Sequence, residues 1–553
     1  MPQTDASQMI EDTSLDGQTW VIIETGSNQT FILTSNRRRY AVGASHLVKR
    51  LAIWVDEAVD ANREATRITK VVVTSSKALL LVPERSIGLD LVRAVTERAL
   101  VEAPGLDVWG YVEEPPPGLN MTMQARLSAL HSAHADQRWR RAQPVARAPM
   151  APFLDACAFT GRAAVRRRRR ADDLVAVSSQ ADMVLSASQH ARRSMQDQLV
   201  EPPPPPRGLD VPEDDTSDAL GDQIRASVAE SDDGDGLLNA GWIAVVHADG
   251  NRVGDVVSTI GSVDDLTTFS AALSWATARA LRSAVAEVVG QSKDEEGNAP
   301  KQWLLPLVVG GDDVTLVCDA RYAVTLTRAY LRHFERYTSF IPTTPASKGI
   351  AGWINDALKR PYLTASAGIA VVKPKFPFSS AYQLAEMLAR EAKRGVKDSN
   401  HGAQDRSSYD LHILRDSVLS DLENMRPKSG SALLSLVATP LLAPSGVEAV
   451  GPSSVWVKAH EDQAVIDQVE SIARQGSKLS GSEIRRLRTS MTQGLPAMEA
   501  VRERFAARAI DAGDDPYLLS EEGPGGNRLT RWPVVLDLID IRTGTVVGRS
   551  KSK

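Results

Sequence analysis

The residues best suited to chemistry are two adjacent aspartates, Asp312 and Asp313, in the stretch PLVVGGDDVTLVCDA (306–320). Strand-forming residues lie on both sides of them, and Gly310 and Gly311 come immediately before. The pattern predicts a hairpin of two strands with both carboxylates at its tip. Adjacent carboxylates repel each other, and a divalent cation relieves that repulsion. A metal site is one interpretation, and an ordinary turn, in which Gly and Asp are common, is the other.

A third carboxylate, Asp249, ends a strand-like run in the stretch GWIAVVHADGNRVG (241–254). This run is followed by a helical pattern, the hairpin, a second helical pattern and a last strand, which occupy 269–289, 304–320, 322–337 and 363–374. The order predicts a ferredoxin-like sheet with helices on one face. The first strand of such a sheet lies beside the hairpin, so the three aspartates can converge at one end. Asp249 precedes a glycine, and Asp-Gly is also a frequent turn dipeptide.

The three aspartates, if they converge, can hold two Mg²⁺ or Mn²⁺ ions. Two such ions bridge nucleotide phosphates and activate a 3′-hydroxyl for in-line attack. Gly310 and Gly311 would allow a bulky phosphate to approach closely. Gly250 and Asn251 suit a turn whose backbone N–H groups point outward, as a bound triphosphate would need.

The length and composition set limits on the other parts of the chain. With 553 residues the chain is too long for one compact core, and with 42% hydrophobic and 24% charged residues it has the composition of a globular protein. Its formal net charge of -5 gives no general case for binding nucleic acid or membranes. Cys157 and Cys318 are its only cysteines, so we expect a reducing cytoplasm and no disulfide framework. Neither a secretory signal nor a run of about 18 apolar residues is present, so no membrane partner is expected.

The first half of the chain repeats the order of elements seen in the second half. A strand (20–26), a helix, a hairpin (69–83), a second helix and a strand again predict a ferredoxin-like unit, here over residues 18–115. Its hairpin turn holds Ser75, Ser76 and Lys77 instead of carboxylates. Glu24 alone cannot hold a pair of metal ions, so we expect no second active centre.

The chain is therefore expected to be an α+β protein with two ferredoxin-like domains and a helical C-terminal domain. The expected segments are a disordered tail (1–17), the first domain (18–115), an insert with a basic patch (145–200), a Pro-rich acidic exposed linker (201–236), the second domain (237–420) and the helical domain (430–553).

One concentrated basic patch, Arg166 to Arg170 beside Arg162, lies in the insert. It could contact RNA, DNA or an acidic partner through phosphates or carboxylates. The alternative is a solvated charge run, neutralised by the acidic stretch 213–235. No aromatic residues interleave with the arginines, and the nearest candidate for base stacking, Trp139, stands alone.

The stretches HADGNRVG, FSAALSWATARAL and LLPLVVGGDDVTLVCDA resemble the catalytic palm of the CRISPR polymerase family. This family comprises the large subunit of type III effector complexes and stand-alone relatives. The stretch TFILTSNRRRYAVGAS resembles the family's first palm, where a Gly-Ala-Ser turn leads into a helix, and SSYDLHIL fits the segment after the second palm. The resemblance covers roughly residues 18–115 and 240–415.

The resemblance implies an enzyme that converts ATP into cyclic oligoadenylates on a two-metal palm akin to those of GGDEF domains and adenylate cyclases. It implies that Asp249, Asp312 and Asp313 are the catalytic metal ligands. Lys393, in AREAKRG, matches a lysine that meets the triphosphate, although helix lysines ordinarily face solvent. The first palm would be degenerate and would receive the acceptor nucleotide near Gly43, Ala44 and Ser45; a purely structural first palm is the alternative.

The sequence departs from the family pattern in two places. No His-Asp pair marks the nuclease domain that large subunits often carry, and SALHSAHADQRW (128–139) does not supply one, so no such nuclease is expected. The stretch PFLDACAFTGRAA (152–164) resembles a remnant of the family's zinc module in which Cys157 is the only thiolate. Structural zinc takes four ligands, so no zinc is predicted.

Taken together, the residues and the resemblance predict a nucleotidyltransferase. It would join ATP or another NTP into a cyclic oligonucleotide messenger in antiphage defence and release pyrophosphate. The alternatives are a cyclic dinucleotide synthase, a linear oligomer synthase, and a palm that binds nucleotide as a sensor or scaffold without turnover. The sequence leaves open whether an RNA or a protein partner activates the chain.

Overall fold

The structure of the protein is a computed structural model. It describes residues 17–26, 28–114, 121–141, 151–170, 173–201, 218–228, 240–292, 300–340, 349–398, 406–415, 481–493 and 495–507, with shorter pieces at 237, 434–436, 441–443, 445, 463, 466, 519–520 and 528–530. These residues fall into two compact units. The first unit takes those within Met1–Ser194, Gly254–Ser274 and Asp356–Leu358, and the second takes those within Met195–Val253, Trp275–Asn355 and Lys359–Lys553.

The first unit contains a four-stranded antiparallel sheet with the order β2-β3-β1-β4, called here the first sheet. Its elements and the helices around it are β1 (Thr19–Gly26), α1 (Asn28–Ile32), α2 (Arg38–Asp60), β2 (Thr69–Val73), β3 (Lys77–Val82), α3 (Arg85–Glu102), β4 (Asp107–Val112) and α4 (Met123–Arg140). This is the ferredoxin-like order that the sequence predicts for residues 18–115. Apolar residues of the central strands and of α2 and α3 form one buried cluster, for example Val21, Leu51, Leu80 and Leu91.

The turn expected at Gly43, Ala44 and Ser45 is absent, because all three residues lie inside α2 and are buried. Their small size serves packing between helices. A Cβ atom built on Gly43 would lie 1.9 Å from the carbonyl oxygen of Val184, so only glycine allows this contact. A small-residue contact and a turn use the same residue types, so the turn that the family resemblance implied is here a contact between helices.

The insert consists of a hairpin followed by a long helix. The arginine run is a strand, β5 (Arg166–Arg170), paired antiparallel with β6 (Asp173–Val177), and α5 (Ser179–Val200) follows. Before the hairpin, the buried Cys157 starts a tight turn in which Gly161 N donates to Cys157 O and Cys157 N donates to Arg162 O.

Two hydroxyl groups, those of Thr160 and Ser178, lie next to the Cys157 thiol. Thr160 Oγ1 lies 3.1 Å from Ser178 Oγ, and Phe159 N donates to Cys157 Sγ. Burial alone would raise the pKa of the Cys157 thiol, but hydrogen bonds from Ser178 and Thr160 lower it overall. We call this group, Cys157, Thr160 and Ser178, the hydroxyl knuckle. Side-chain hydrogen bonds hold it together.

The linker expected at 201–236 is wrong for its central part. Residues 218–228 include helix α6 (Asp218–Ser227), and Ile224 and Val228 are fully buried. Val228 forms a β-bridge with Leu304, and Trp303 N donates to Ser227 O. Apolar residues spaced four apart within an acidic stretch form one helical stripe, which the overall acidic composition concealed. The other linker residues lie outside the described part of the chain, as do residues 1–16 of the predicted tail.

The second unit contains a six-stranded sheet with the order β13-β11-β10-β7-β9-β8, called here the second sheet. The elements between residues 240 and 445 are β7 (Ile243–Gly250), α7 (Val253–Val257), α8 (Val263–Gln291), β8 (Leu304–Gly310), β9 (Asp313–Asp319), α9 (Ala320–Thr338), α10 (Gly349–Leu358), β10 (Ala365–Val372), α11 (Phe378–Asp398), β11 (Ser408–Ile413), β12 (Leu434–Leu436) and β13 (Leu441–Leu442). The four strands β10-β7-β9-β8 have the predicted ferredoxin-like order. β11, from the stretch SSYDLHIL, extends the sheet in parallel with β10.

The described pieces of the C-terminal part include both helices and strands. Of the predicted helices, the described residues show α12 (Gly481–Gln493) and α13 (Leu495–Ala507). They also show a small sheet that the prediction lacked, in which β12 pairs with β15 (Arg528–Thr530) and β15 pairs with β14 (Leu519–Ser520). The stretch RWPVVLDLIDI (531–541) lies outside the described residues. In the described part of the chain, no helix is both long and apolar enough to span a bilayer.

Candidate active site

The site lies at one end of the second sheet, where β7 ends and β9 begins. Asp249 on β7 and Asp313 on β9 are directly opposite each other in the antiparallel ladder. Opposed residues of such a ladder project to the same face of the sheet. The folding of these two strands therefore places two carboxylates side by side, as the sequence predicted.

The hairpin tip between β8 and β9 adds the third carboxylate. Gly310 pairs with Asp313, which leaves Gly311 and Asp312 as a two-residue loop. Gly311 has φ +61°, a left-handed conformation that glycine adopts at little cost. Gly250 N donates to Asp312 O at 3.1 Å, and a Cβ built on Gly250 would lie 2.7 Å from Asp312 Cβ. Glycine at 250 is thus what allows the Asp312 side chain to lie over the end of β7.

Lys393 on α11 contacts this group directly. Its ammonium donates to Asp249 Oδ2 at 2.7 Å and to the carbonyl oxygen of Gly250 at 3.1 Å. Lys393 is thus paired with Asp249, although 41% of its side chain is exposed to solvent. The structure brings together seven of the predicted residues at this end of the sheet, namely Asp249, Gly250, Gly310, Gly311, Asp312, Asp313 and Lys393.

The carboxylates strongly perturb one another. Burial and the neighbouring charge of Asp249 raise the pKa of Asp312 to about 6. Burial and the charges of Asp249, Asp312 and Glu386 raise the pKa of Asp313 to about 8. Although 41% of the Asp313 side chain is exposed, its Oδ1 atom is enclosed and has no hydrogen-bond partner in the described structure. A carboxylate oxygen of this kind lacks a positive partner.

Three further residues act on the aspartates and were not predicted from the sequence. His247 lies two residues before Asp249 on the same face of β7, and its Nδ1 atom is 3.0 Å from Thr315 Oγ1 and 3.4 Å from Asp313 Oδ1. Burial lowers the pKa of His247, so the imidazole is neutral and does not offset the Asp313 charge. Burial, and then the three aspartates, raise the pKa of Tyr330 on α9 well above its usual value.

The third missed residue, Glu386, is about two helical turns before Lys393 on α11 and pairs with Arg390 at 3.2 Å. The period-2 pattern of β7 could have indicated His247, since it shares a face with Asp249. Nothing in the sequence pattern distinguishes Glu386 or Tyr330 from other helix residues.

The backbone N–H groups expected to point outward after Asp249 do not. Gly250 N is used by Asp312 O, and Asn251 N donates to Thr364 O at 2.8 Å. The Asn251 side chain is buried and bonds with Thr364 and Ser366. Ser366 contacts Ser408, whose hydroxyl donates to the carbonyl of Ala392, next to Lys393. This chain of hydrogen bonds ties the end of β7 to α11, so Asn251 has a positioning role in the structure.

The predicted acceptor residues are in the first unit. Gly43, Ala44 and Ser45 are buried within α2, and this burial argues against direct contact of their side chains with a nucleotide. Their role as acceptor contacts stays a prediction.

The chemical type of the candidate ligand atoms suits a divalent cation such as Mg²⁺. All candidate ligands are carboxylate oxygens, which such ions prefer, and Asp313 Oδ1 has no hydrogen-bond partner among the described residues. Among the described residues, however, no three His, Cys, Asp or Glu side chains already converge closely enough to form a complete ligand set. The Lys393 ammonium, which occupies one Asp249 oxygen, takes part of the space that a cation would need.

A known protein family matches the part of the chain that contains this site. Residues 242–401 match the family model described as Cas10/Cmr2, second palm domain. This part of the chain is similar to a Cas10/Cmr2 second palm. The resemblance to the CRISPR polymerase family is thereby confirmed, and the matched residues of the Cas10/Cmr2 palm include the whole Asp249, Asp312, Asp313 and Lys393 group.

Solved structures with a similar arrangement include a Csm1–Csm4 cassette in complex with cA4, at 12% identity, covering 95% of this chain and 70% of that chain with a TM-score of 0.47. They also include a Csm1–Csm4 cassette with pppApA, at 12% identity, 95% and 69% coverage and a TM-score of 0.49. Csm1 of T. onnurineus matches at 11% identity, 94% and 69% coverage and a TM-score of 0.42. No curated protein matches the sequence.

Proposed function

We propose that the second palm is a nucleotidyltransferase that joins ATP or another NTP into a cyclic oligonucleotide messenger, with Mg²⁺ or Mn²⁺ as cofactor. In this reaction the 3′-hydroxyl oxygen of one nucleotide attacks the α-phosphorus of the next. The bond to pyrophosphate breaks, and the hydroxyl proton passes to solvent. A final attack by the terminal 3′-hydroxyl on the 5′ α-phosphorus of the same oligomer closes the ring.

The observation that carries the proposal is the opposition of Asp249 and Asp313 across the β7–β9 ladder, with Asp312 held over Gly250. A protein that only shapes a turn gains nothing from crowding three carboxylates until their pKa values rise. Bound divalent cations would neutralise phosphate charge and lower the pKa of the attacking hydroxyl. Asp249, Asp312 and Asp313 would hold those cations.

The other residues would orient the substrate. Lys393 has an ammonium within reach of the Asp249 end of the site and would meet the triphosphate. Gly310 and Gly311, without side chains at the tip, leave room for phosphate oxygens. The chain of hydrogen bonds from Asn251 through Ser366 and Ser408 keeps α11, and hence Lys393, at a constant distance from β7.

The test is incubation of the purified chain with each NTP and with Mg²⁺ or Mn²⁺, with products identified by mass spectrometry. An Asp312→Ala/Asp313→Ala variant runs alongside, and Asp56→Ala/Asp90→Ala serves as a matched control in the first unit. We expect a cyclic oligonucleotide and pyrophosphate from the wild type and the control only. The same reactions are repeated with added RNA, because the sequence leaves an activator open. No product under either condition would overturn the proposal.

A second candidate is a nucleotide sensor or scaffold without turnover in antiphage defence. It is favoured by one observation, the pairing of Lys393 with Asp249, which partly neutralises the site without a metal ion. Calorimetric titration with a non-hydrolysable ATP analogue distinguishes the two. A sensor binds equally well with and without divalent cations, whereas the proposed enzyme needs them.

A further inference from the structure

The arginine run of the insert forms a regular β-ribbon whose two faces differ. In the β5–β6 ladder, alternate residues project to opposite sides. On one side, Arg166 and Arg168 both contact the Asp182 carboxylate of α5, and Arg168 Nη1 is 3.2 Å from Asp182 Oδ1. These two arginines anchor the ribbon to its own helix.

The other side, which we call the outer face, carries Val165, Arg167, Arg169 and Leu174. Val165, Arg167 and Arg169 alternate along one strand, and Leu174 is directly opposite Arg169 in the ladder. All four side chains are exposed, with 65%, 66% and 64% exposure for Val165, Arg167 and Leu174 respectively. Arg169 makes no ion pair within the described part of the chain. Arg167 has only a 3.3 Å contact with the exposed Asp155, the kind of surface pair that contributes little.

An exposed aromatic residue lies two positions from the aspartate that contacts this face. Phe153, two residues before the Asp155 that contacts Arg167, is 86% exposed. Sequence inspection considered only Trp139 for base stacking and missed Phe153. Large apolar side chains at such exposure, alternating with guanidinium groups, are unusual on a plain solvated surface.

We propose that the outer face of the ribbon binds single-stranded nucleic acid. Residues two apart on a strand repeat every ~6.7 Å, a spacing that lets Arg167 and Arg169 reach successive phosphates of an extended strand. Guanidinium groups bind phosphate oxygens through two parallel hydrogen bonds. Phe153, Val165 and Leu174 supply the faces on which unstacked bases pack, and a duplex offers no such bases.

The local charge opposes that of the whole molecule. The chain carries a formal net charge of -5, so attraction to a polyanion arises at this ribbon and is not spread over the surface. Arg166 and Arg168 pair with Asp182, so the positive charges on the outer face are those of Arg167 and Arg169. Binding should therefore depend steeply on salt, since each phosphate contact releases counterions.

The test is fluorescence anisotropy of a labelled 20-nucleotide U-rich RNA with the full chain, without NTP or divalent cations. These conditions separate it from the proposed catalysis, which needs both. We expect binding at low salt and at least tenfold weaker binding by Arg167→Glu/Arg169→Glu. The slope of log affinity against log salt should fall by about 1.4 for the two lost contacts. Arg67→Glu/Arg93→Glu, two equally exposed and ion-paired arginines of the first unit, is the matched control and should bind as the wild type.

Further probes identify the class of partner. Phe153→Ala should weaken RNA binding about tenfold if bases stack there, with no change in thermal stability. A duplex of the same length, an anionic phospholipid vesicle and a poly-glutamate peptide are the competing ligands. Equal binding of any of these, or equal binding of RNA by the ribbon variant and its control, would overturn the proposal. Preserved circular dichroism of the variant excludes unfolding as the cause.

Discussion

Lys77 and Glu24 face each other across the β1–β3 ladder in the same relation that Asp313 and Asp249 have across the β7–β9 ladder. The neighbouring bonds also correspond, since Thr25 N donates to Ser76 O and Gly250 N donates to Asp312 O. Lys77 Nζ lies 2.9 Å from Glu24 Oε1. The first sheet thus has a lysine ammonium where the second has a carboxylate, and its Glu24 is neutralised within the protein.

This correspondence predicts different outcomes for equivalent substitutions. Lys77→Met should leave nucleotide turnover within threefold of the wild type, because the Glu24 end of the first sheet has no carboxylate pair to hold a metal ion. It should lower the free energy of unfolding by about 1 kcal/mol, since a partly exposed ion pair is lost. Chemical denaturation and product formation check the two effects. A loss of turnover comparable to that of Asp249→Asn would show that the first sheet takes part in the reaction.

Asp313→Asn should abolish product formation and yet stabilise the metal-free protein. The pKa of Asp313 is raised by burial and by neighbouring carboxylates, so removing its charge relieves a repulsion that folding must overcome. The measurement is the thermal unfolding temperature at pH 9, where the carboxyl is ionised, with and without Mn²⁺. The variant should unfold at a higher temperature than the wild type without Mn²⁺, and Mn²⁺ should raise only the wild-type value. Asp90→Asn, at an exposed site, should change neither the unfolding temperature nor its response to Mn²⁺.

Lys393→Met should separate metal binding from nucleotide binding. The ammonium occupies Asp249 Oδ2 at 2.7 Å, so its removal frees a ligand and should tighten Mn²⁺ binding several-fold in calorimetry. The KM for the triphosphate should rise, because the side chain that meets it is gone. Lys397→Met, at the C-terminal end of the same helix, serves as the control. Unchanged values for both quantities would leave Lys393 with a structural role only.

The first unit should lose stability as the pH falls. Burial lowers the pKa of His46 and of His134 to about 4, below the value near 6.5 of an unfolded chain. The unfolded state therefore takes up protons first, and stability present above pH 6.5 is lost between pH 6.5 and about 4. His134 also stacks on Trp109 with ring centroids 4.8 Å apart, which holds it in the interior.

The measurement for this dependence is unfolding temperature at pH 7.5 and pH 5. A His46→Gln/His134→Gln variant, which cannot take up these protons, should show a smaller fall than the wild type. The comparison of variants is needed because Asp312 and Asp313, whose pKa values are raised, act in the opposite sense: their protonation favours the folded state as the pH falls. Equal falls for both proteins would contradict the prediction.

The parts of the fold that the sequence predicted are those with strong periodicity. The hairpin around Gly310 and Gly311, the ferredoxin-like order of both sheets and the convergence of the three aspartates follow from strand patterns and turn residues. Contacts made by single residues could not be predicted in this way. The close approach of α5 to Gly43 and the use of Gly250 N by Asp312 O depend on which segments meet, and that information is not local in the chain.

The errors have similar causes. Helix α6 was not predicted because the stretch around it is acidic overall. Three apolar residues spaced four apart, Leu220, Ile224 and Val228, are enough to form a packed stripe within such a stretch. Phe153 was not predicted because Trp139 was taken as the nearest stacking residue, although Phe153 lies closer to the arginine run in the sequence. The fold brings it to the ribbon through Asp155, which contacts Arg167.

The hydroxyl knuckle has a consequence for the conditions under which the insert can keep its shape. A knuckle made from several thiolates around zinc fails when the thiols are oxidised or when zinc is scarce. The contact between the Thr160 and Ser178 hydroxyls involves no redox-active atom, whereas the Cys157 thiol beside it can be oxidised. The contact between the two hydroxyls can therefore persist where a thiolate ligand would be oxidised, which leaves Cys157 as the part of the knuckle that responds to oxidants.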